Sequence, residues 1–246
     1  MTHTAAIVEI AGRDSVAAAV AAVREQGFRT LVPTIGFTGT ETGDKQAPYR
    51  AVSRLRNLLA DEAQVLDPVA LSDPALWSAM NARPLAEVLK RYGVCSPCLA
   101  CHLYLHLLRV PLAWSHGNAP VISGERDSHD GSVKLSQTPA SIDAATRVLA
   151  YAGIELLSPI RSATSAQIEA LVGPEWRPGE RQLDCQLAGN YVALDGSPLY
   201  DEAGYSRYLA EFFEPVGRAI VDAYRAERDG GPASDFTAIV RSVLER

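Results

Sequence analysis

Residues 5–20 read AAIVEIAGRDSVAAAV, and this stretch decides the fold. The segment Ile7–Ile10 is largely apolar and β-branched, which is typical of a buried strand and too short for a stable helix. Gly12 permits a sharp turn, and Asp14 and Ser15 favour the first turn of the Ala-rich helix that follows. The sequence therefore predicts a strand, a tight turn and a helix in immediate succession.

A turn of this kind is a potential anion site. It directs several backbone N–H groups and the positive end of a helix dipole towards one point, and the anion most often bound at such a point is a phosphate. The alternative is an ordinary strand-to-helix connection that binds no ligand.

Length and composition limit the classes of protein to consider. The chain has 246 residues, is 47% hydrophobic and has a net charge of −6, which disfavours broad binding to a nucleic-acid backbone. Its first residues, MTHT, do not resemble a signal peptide, and no apolar run is long enough for a membrane span. Three of the four cysteines lie within seven residues, unlike a secreted disulfide framework. We expect a soluble cytoplasmic protein.

Strand-like and helix-like segments alternate over the first two-thirds of the chain. This alternation predicts an α/β fold, with a mostly parallel sheet covered by helices on both faces. After the opening strand, the further strand-like segments are Thr30–Ile35, Val65–Leu71, 119–123 and Ile154–Ile160. Ligands of such sheets bind at the carboxyl ends of the strands, where Gly12–Ser15, Gly36–Asp44 and Gly124–Asp130 are expected to lie together.

The remainder of the chain has a different character. We predict a nucleotide-binding domain over residues 1–160, which includes the cysteine-rich helix, and a smaller, mainly helical region over residues 161–246. Within that region, Tyr205–Arg228 is predicted to be one long helix that is interrupted near Pro215, because proline lacks the N–H that an internal helical turn requires.

The opening turn also has a family resemblance. Ala11-Gly12-Arg13-Asp14-Ser15 resembles the last five places of the Ser-Gly-Gly-x-Asp-Ser loop of the PP-loop (N-type) ATP pyrophosphatase superfamily, with Ala11 in place of the first Gly and Ile10 in place of the first Ser. The resemblance implies an adenine nucleotide alpha hydrolase-like fold of the HUP type. It also implies cleavage of ATP between its α and β phosphates, with Mg²⁺, to give an adenylated acceptor and pyrophosphate.

On this resemblance, the residues Ala11, Gly12, Arg13, Asp14 and Ser15 would bind the departing pyrophosphate. Asp14 would hold Mg²⁺ or cap the helix, and Arg13 would neutralise the developing charge if it faces inward. The family places adenine and ribose on the loop after the second strand, here at Gly36 and Phe37. The alternatives without a ligand are that Asp14 and Ser15 only cap the helix and that Arg13 faces solvent.

A second loop, Ser123–Gly131, is rich in charged residues and falls where PP-loop enzymes contact ATP and substrate. Gly124, Arg126 and Lys134 would bind phosphate, and Asp127 or Asp130 would hold Mg²⁺. His129 would transfer a proton near neutral pH, so the predicted catalytic residues are Asp14, Arg126 and His129. The alternative is a solvated surface loop.

The spacing Cys-x-x-Cys-x-x-Cys at Cys95, Cys98 and Cys101 brings three thiols within reach of one centre, which suits Zn²⁺ or an iron–sulfur cluster. Cys185 is distant in sequence but could complete the site. PP-loop enzymes that transfer sulfur hold a [4Fe–4S] cluster with three cysteines, whereas nitrile-forming relatives hold a structural zinc with four. The alternative is a set of buried small hydrophobic side chains.

These patterns favour an ATP-dependent, adenylating enzyme that transfers or removes sulfur with an iron–sulfur cluster. Its acceptor would be a small molecule or a tRNA base, and a separate sulfur donor is implied. Two alternatives stay open: an amidating or nitrile-forming PP-loop ligase with zinc, and a non-catalytic nucleotide-binding paralogue. We expect a homo-oligomer, a dimer, with no membrane partner.

Overall fold

The computed structural model describes residues 4–95, 97–127, 134–177, 182–197 and 199–246. Its strands are β1 (Ala5–Glu9), β2 (Thr30–Gly36), β3 (Glu41–Thr42), β4 (Gln64–Val65), β5 (Val69–Leu71), β6 (Val121–Ile122), β7 (Leu156–Leu157) and β8 (Asp184–Cys185). Its α-helices are α1 (Arg13–Gln26), α2 (Ala47–Leu58), α3 (Pro74–Trp77), α4 (Leu85–Tyr92), α5 (Pro97–Leu107), α6 (Val110–Ser115), α7 (Pro139–Tyr151), α8 (Ser165–Val172), α9 (Glu202–Tyr208), α10 (Glu214–Arg228) and α11 (Phe236–Leu244).

The chain forms two compact units, and each draws on three segments of the sequence. The sheet unit consists of Met1–Ser72, Leu112–Ser132 and Ile154–Gln186. The helical unit consists of Asp73–Pro111, Val133–Gly153 and Leu187–Arg246. The boundary predicted between residues 160 and 161 falls inside the third segment of the sheet unit, because the chain leaves the sheet and returns to it twice.

The main sheet is parallel throughout, in the order β4-β2-β1-β6-β7, and β5 also pairs with β2. A separate two-stranded antiparallel sheet joins β3 to β8. The sequence-based fold class is therefore confirmed: the protein is α/β, with a mostly parallel sheet flanked by helices. The loops that follow β1, β2, β6 and β7 leave the main sheet at its carboxyl edge.

The opening strand and helix form as the sequence predicts. Ile7 and Val8 on β1 are fully buried. Along α1 every residue from Val16 to Val23 is buried, which the small alanine side chains permit by allowing close helix packing. Gly27 ends α1 in the left-handed conformation, with φ of 77°, and its N–H donates to the Val23 carbonyl at 3.0 Å.

The predicted strand Val65–Leu71 is wrong as a single element. The structure has two short strands there, β4 and β5, and both pair with β2. Pro68 lies between them, and its missing N–H cannot contribute to a strand ladder. The chain therefore leaves the sheet at Leu66 and rejoins it at Val69.

In the helical unit, α9 and α10 are joined by a π-helical turn over Leu209–Phe213, so the helix continues from Glu202 to Arg228. The Glu214 N–H donates to the Leu209 carbonyl, five residues earlier. This wider turn directly precedes Pro215. It accommodates the proline, which has no backbone N–H to donate and whose ring would clash with a regular preceding turn of α-helix. The interruption predicted near Pro215 is thus a widening of the helix and not an end.

Among the residues that the structure describes, no helix is both long enough and apolar enough to cross a lipid bilayer.

The buried phenol of Tyr224 on α10 predicts a loss of stability in alkali. Burial raises the pKa of Tyr224 above its ordinary value, so the folded state favours the neutral phenol and this contribution is lost as the pH rises above about 10. Between pH 9 and 11, the free energy of unfolding of Tyr224→Phe, obtained from thermal unfolding, should decline less than that of wild type. The difference should be up to about 1.4 kcal/mol per pH unit. Tyr49→Phe, at a partly exposed position, should keep the wild-type decline. Identical declines in all three proteins would contradict the prediction.

Candidate active site

The turn between β1 and α1 is closed by the Ser15 hydroxyl. Its Oγ accepts the N–H groups of Ala11 at 3.0 Å and Gly12 at 3.1 Å and donates to the Gly12 carbonyl at 2.8 Å. Gly12 is the N-cap residue, and Asp14 lies in the first turn of α1. Ser15 rather than Asp14 therefore provides the side-chain acceptor for backbone N–H groups at the start of the helix. Two N–H groups that were predicted to face a phosphate are hydrogen bonded within the loop.

Other donors remain at the start of α1. The N–H groups of Arg13, Asp14 and Ser15 lie in the first helical turn, where the helix itself supplies no acceptor. The positive end of the helix dipole reinforces them. The turn therefore retains the general properties of an anion site.

Asp14 bridges two buried arginines. Its Oδ1 accepts the Arg13 Nε–H at 3.0 Å, and its Oδ2 accepts the Arg126 Nε–H at 2.9 Å. Arg13 is 4% exposed and Arg126 is 5% exposed. Arg13 therefore faces inward, as the functional interpretation requires. Two guanidinium groups share one carboxylate, so these three side chains carry an excess positive charge at the carboxyl edge of the sheet.

Gly124 brings the loop after β6 directly against α1. A Cβ atom at this position would lie 2.6 Å from both the Cα and the N of Ser15. Because those contacts are with backbone atoms, a side chain would push the two loops apart. A close approach of two backbones thus explains the glycine, whatever ligand the loops bind.

The loop after β6 is also fastened to the loop after β7. Asp127 and Arg161 are joined twice, by the Asp127 N–H on the Arg161 carbonyl at 2.9 Å and by the Arg161 Nε–H on Asp127 Oδ2 at 2.9 Å. Arg126 Nη1 donates to the Ala163 carbonyl at 3.1 Å. The structure therefore brings Gly12–Ser15 and Gly124–Arg126 together, and Asp127, a predicted Mg²⁺ ligand, is ion-paired.

The other residues predicted to act on the second loop are His129, Asp130 and Lys134. His129 and Asp130 lie outside the described residues. Lys134 belongs to the helical unit, where it precedes the short 3₁₀ turn Leu135–Gln137. Their proposed roles as proton-transfer, magnesium-binding and phosphate-binding groups stay predictions.

The loop after β2 is organised by a carboxylate whose role the sequence did not reveal. Gly36 ends β2, and the Phe37 N–H donates to the Leu71 carbonyl at 2.9 Å. Beyond them, the Glu41 carboxylate accepts the Thr38 N–H at 2.7 Å, the Thr38 hydroxyl at 2.6 Å and the Gly39 N–H at 2.9 Å. The only sequence signal was the polar run Thr-Gly-Thr-Glu at residues 38–41, which does not show that the glutamate accepts hydrogen bonds from the backbone of the loop.

Cys185 lies in the sheet unit, on the strand that pairs with this loop. Cys185 is opposite Glu41 in the β3–β8 pair, and its exposed thiol is 3.4 Å from the Thr40 hydroxyl. Gln182, three residues earlier, packs on Gly12, where a Cβ would lie 2.6 Å from the Gln182 Oε1. This segment therefore runs between the loops after β1 and β2.

The other three cysteines belong to the helical unit. Cys98 lies in the first turn of α5 and its Sγ–H donates to the Leu187 carbonyl at 3.3 Å. Cys101 is buried, and its Sγ accepts the indole N–H of Trp77 at 3.4 Å. Cys95 precedes α5, and burial raises the pKa of its thiol. Trp77 was not identified from the sequence, because nothing local marks it as a partner of Cys101.

The metal site predicted at Cys95, Cys98, Cys101 and Cys185 stays a prediction. Within the part of the chain that the structure describes, no three His, Cys, Asp or Glu side chains form a group that could hold a metal ion. No disulfide joins these four cysteines in the described residues, and Cys185 lies in one unit while the other three lie in the second.

Comparison with known proteins relates this chain to an archaeal protein. No family model matches the chain. The chain is 36% identical over 220 residues to the uncharacterized protein MJ0009 of Methanocaldococcus jannaschii, a match that covers 88% of this chain and 79% of the relative. The chain belongs to the MJ0009 family. Because each compact unit makes up about half of the chain, the match extends over parts of both units.

The close approach at Gly124 can be tested by adding a single methyl group. Gly124→Ala should lower the free energy of unfolding by about 1–3 kcal/mol, because the Ser15 backbone cannot move aside without displacing α1. Gly12→Ala is a matched control, since its Cβ would meet mainly the flexible Gln182 side chain and should cost less. Chemical denaturation measures both variants. A loss at Gly12 equal to or larger than that at Gly124 would contradict this packing.

Proposed function

We propose that this protein is an ATP-dependent adenylating enzyme that transfers sulfur to an acceptor, or removes it, with the help of a cysteine-held metal centre. The proposal that the protein binds and cleaves ATP rests on the cluster of Arg13, Asp14 and Arg126 at the start of α1. The resemblance of Ala11–Ser15 to the PP-loop motif supports the same conclusion independently.

The charge and geometry of this cluster suit a departing pyrophosphate. Each arginine gives its Nε–H to Asp14, and the Nη groups of Arg13 form no hydrogen bond with a described residue. Those groups and the first-turn N–H groups of α1 would bind an anion bidentately. Buried guanidinium groups bind charge strongly because little water competes with them. Mg²⁺ would enter bound to the triphosphate, since Asp14 and Asp127 are both engaged with arginines.

The proposed reaction has two steps. An acceptor oxygen attacks the α-phosphorus of ATP, the bond to the bridging oxygen breaks, and pyrophosphate leaves into the positive cluster, where Arg13 and Arg126 stabilise its charge. A hydrosulfide then attacks the activated carbon, the carbon–oxygen bond breaks, and AMP and a proton are released. His129 is the proposed group for proton transfer.

The chemistry of the remaining cysteines fits a thiolate-held metal. Cys98 lies in the first turn of α5, where the helix dipole favours a negatively charged sulfur, and Cys101 receives an N–H from Trp77. With Cys95, they would supply three sulfur ligands. A [4Fe–4S] cluster bound by three thiolates would offer a position that holds or polarises sulfur. We assign Cys185, in the sheet unit, to a position outside this set of metal ligands.

The surface charge of α2 favours a small-molecule acceptor over tRNA. Each of its arginines is ion-paired: Arg50 with Asp44, Arg54 with Glu175 and Arg56 with Asp67. A phosphate backbone would have to displace these carboxylates, in a chain whose net charge is −6.

We place the reaction in the cytoplasm, where thiols stay reduced.

One observation favours a second candidate, a non-catalytic nucleotide-binding protein. The Ser15 hydroxyl occupies the N–H groups of Ala11 and Gly12, two of the donors expected to contact a phosphate. Ala11 and Ile10 also replace the family's Gly and Ser. A protein of this kind would bind ATP and release no pyrophosphate.

Substitution of Asp14 tests the adenylation proposal. With candidate tRNA and small-molecule acceptors, wild-type protein should release pyrophosphate from MgATP. Asp14→Asn should lower the rate at least ~10-fold, because the two buried arginines lose the carboxylate that holds them. Asp67→Asn, the same change at an exposed ion pair, should leave the rate within about twofold. Unchanged turnover in Asp14→Asn would refute the proposal. ATP binding without turnover would support the second candidate.

Anaerobic metal analysis tests the cysteine assignment. Wild-type protein should contain iron and acid-labile sulfide and show the broad visible absorption of an iron–sulfur cluster. Cys101→Ser should lose most of the iron, whereas Cys185→Ser should retain it, because Cys185 lies outside the proposed ligand set. Loss of iron in both variants would contradict the three-cysteine assignment. Stoichiometric zinc without iron would favour the ligase alternative.

A further inference from the structure

The start of α1 is covered by a side chain from a later segment of the sheet unit. Gly12, the N-cap residue, is buried, and a Cβ atom on it would lie 2.6 Å from Oε1, 3.1 Å from Cβ and 3.6 Å from Cδ of Gln182. Gln182 itself is exposed. The stem and the amide of Gln182 therefore lie along the turn, and the other side of this residue is open to solvent.

The place of this amide is the place of a helix cap. The side chain of an N-cap residue begins at its Cβ and accepts the N–H groups two or three residues further on. Gly12 has no such side chain, and the Gln182 Oε1 lies within 2.6 Å of the point at which one would begin. An anion bound by the first-turn N–H groups of α1 would therefore lie beside the Gln182 amide.

The segment that carries Gln182 is held at its other end by the loop after β2. Residues 182–186, which we name the cover segment, include β8, which pairs with β3. The Gln186 N–H donates to the Thr40 carbonyl at 3.0 Å, and the Cys185 thiol lies 3.4 Å from the Thr40 hydroxyl. Backbone pairing close to Gln182 thus fixes the position from which its side chain reaches Gly12.

The Gln182 amide is available for a ligand. It forms no hydrogen bond with a residue that the structure describes. A primary amide has two N–H donors and one carbonyl acceptor, and a half-turn of its last torsion exchanges the two sides. The amide that now directs its oxygen at Gly12 can therefore present an N–H donor to an anion at the same place.

We propose that Gln182 is a binding residue of the anion site at the start of α1, where its side-chain amide donates a hydrogen bond to a phosphate group. This inference rests on the proposed binding of pyrophosphate by Arg13, Arg126 and the first turn of α1. It adds a neutral donor to the charged groups of that site. The cover segment is then one wall of the site as well as a connection between two loops.

Calorimetric titration of the full-length protein with inorganic pyrophosphate tests the inference. Gln182→Ala removes the donor and should weaken binding about tenfold, the effect of losing one hydrogen bond to a charged group. Gln182→Glu should weaken binding further, because a carboxylate would face the anion, and this additional loss should diminish at high salt. Gln186→Glu, the same change in charge at the Thr40 end of the cover segment, should bind within about twofold of wild type.

The outcomes separate the inference from the proposal beneath it. If wild type and both Gln182 variants bind pyrophosphate equally well, Gln182 has no part in the site and the anion site stands. Tighter binding by Gln182→Ala would show that the amide obstructs the anion, and would also overturn the inference. Equal losses in Gln182→Glu and Gln186→Glu, without a loss in Gln182→Ala, would do the same. If wild-type protein does not bind pyrophosphate, the inference and the proposed pyrophosphate site both fall.

A measurement on wild-type protein distinguishes contact with the anion from a structural role and does not depend on the folding of a variant. The side-chain NH₂ signals of Gln182 are assigned through its backbone resonances by ¹⁵N-resolved NMR and followed during addition of pyrophosphate. They should move downfield and saturate at the pyrophosphate concentration that saturates the calorimetric signal. Gln182 signals that stay in place while pyrophosphate binds would overturn the inference.

Discussion

The shared carboxylate of Asp14 is the interaction on which the candidate site depends. It joins Arg13, on the helix after β1, to Arg126, on the loop after β6, and both arginines are almost fully buried. Removal of one member of a fully buried ion pair costs about 3–5 kcal/mol, because the remaining charge has no partner. Asp14 is 28% exposed, which reduces that cost and leaves the carboxylate accessible from the site. Gly124 completes the arrangement by letting the two loops touch.

Local sequence patterns were sufficient to predict the fold. The β-branched run before Gly12, the alanines of α1 and the helix-ending Gly27 act through short-range sterics and burial, so the sequence contains the information directly. The strand Val65–Leu71 was mispredicted because its apolar pattern outweighed Pro68, whose missing N–H divides it. The two units could not be delimited from sequence, because each is assembled from three distant segments.

The candidate site was only partly predictable. Loop positions after the strands identified Gly12–Ser15 and Gly124–Arg126, which the structure brings together. The sequence could not show that Asp14 would meet two arginines, since Arg126 is 112 residues away. The Glu41 carboxylate and the Trp77 indole were missed for the same reason: their significance depends on a hydrogen-bond partner that folding supplies.

The central claim is tested most directly by calorimetry, in which the wild-type protein is titrated first with inorganic pyrophosphate and then with MgATP. If the Arg13–Asp14–Arg126 cluster is a pyrophosphate site, pyrophosphate should bind and weaken the subsequent binding of MgATP in a competitive manner, because both occupy the start of α1. Binding of neither compound, or binding of MgATP that is unaffected by saturating pyrophosphate, would contradict the account.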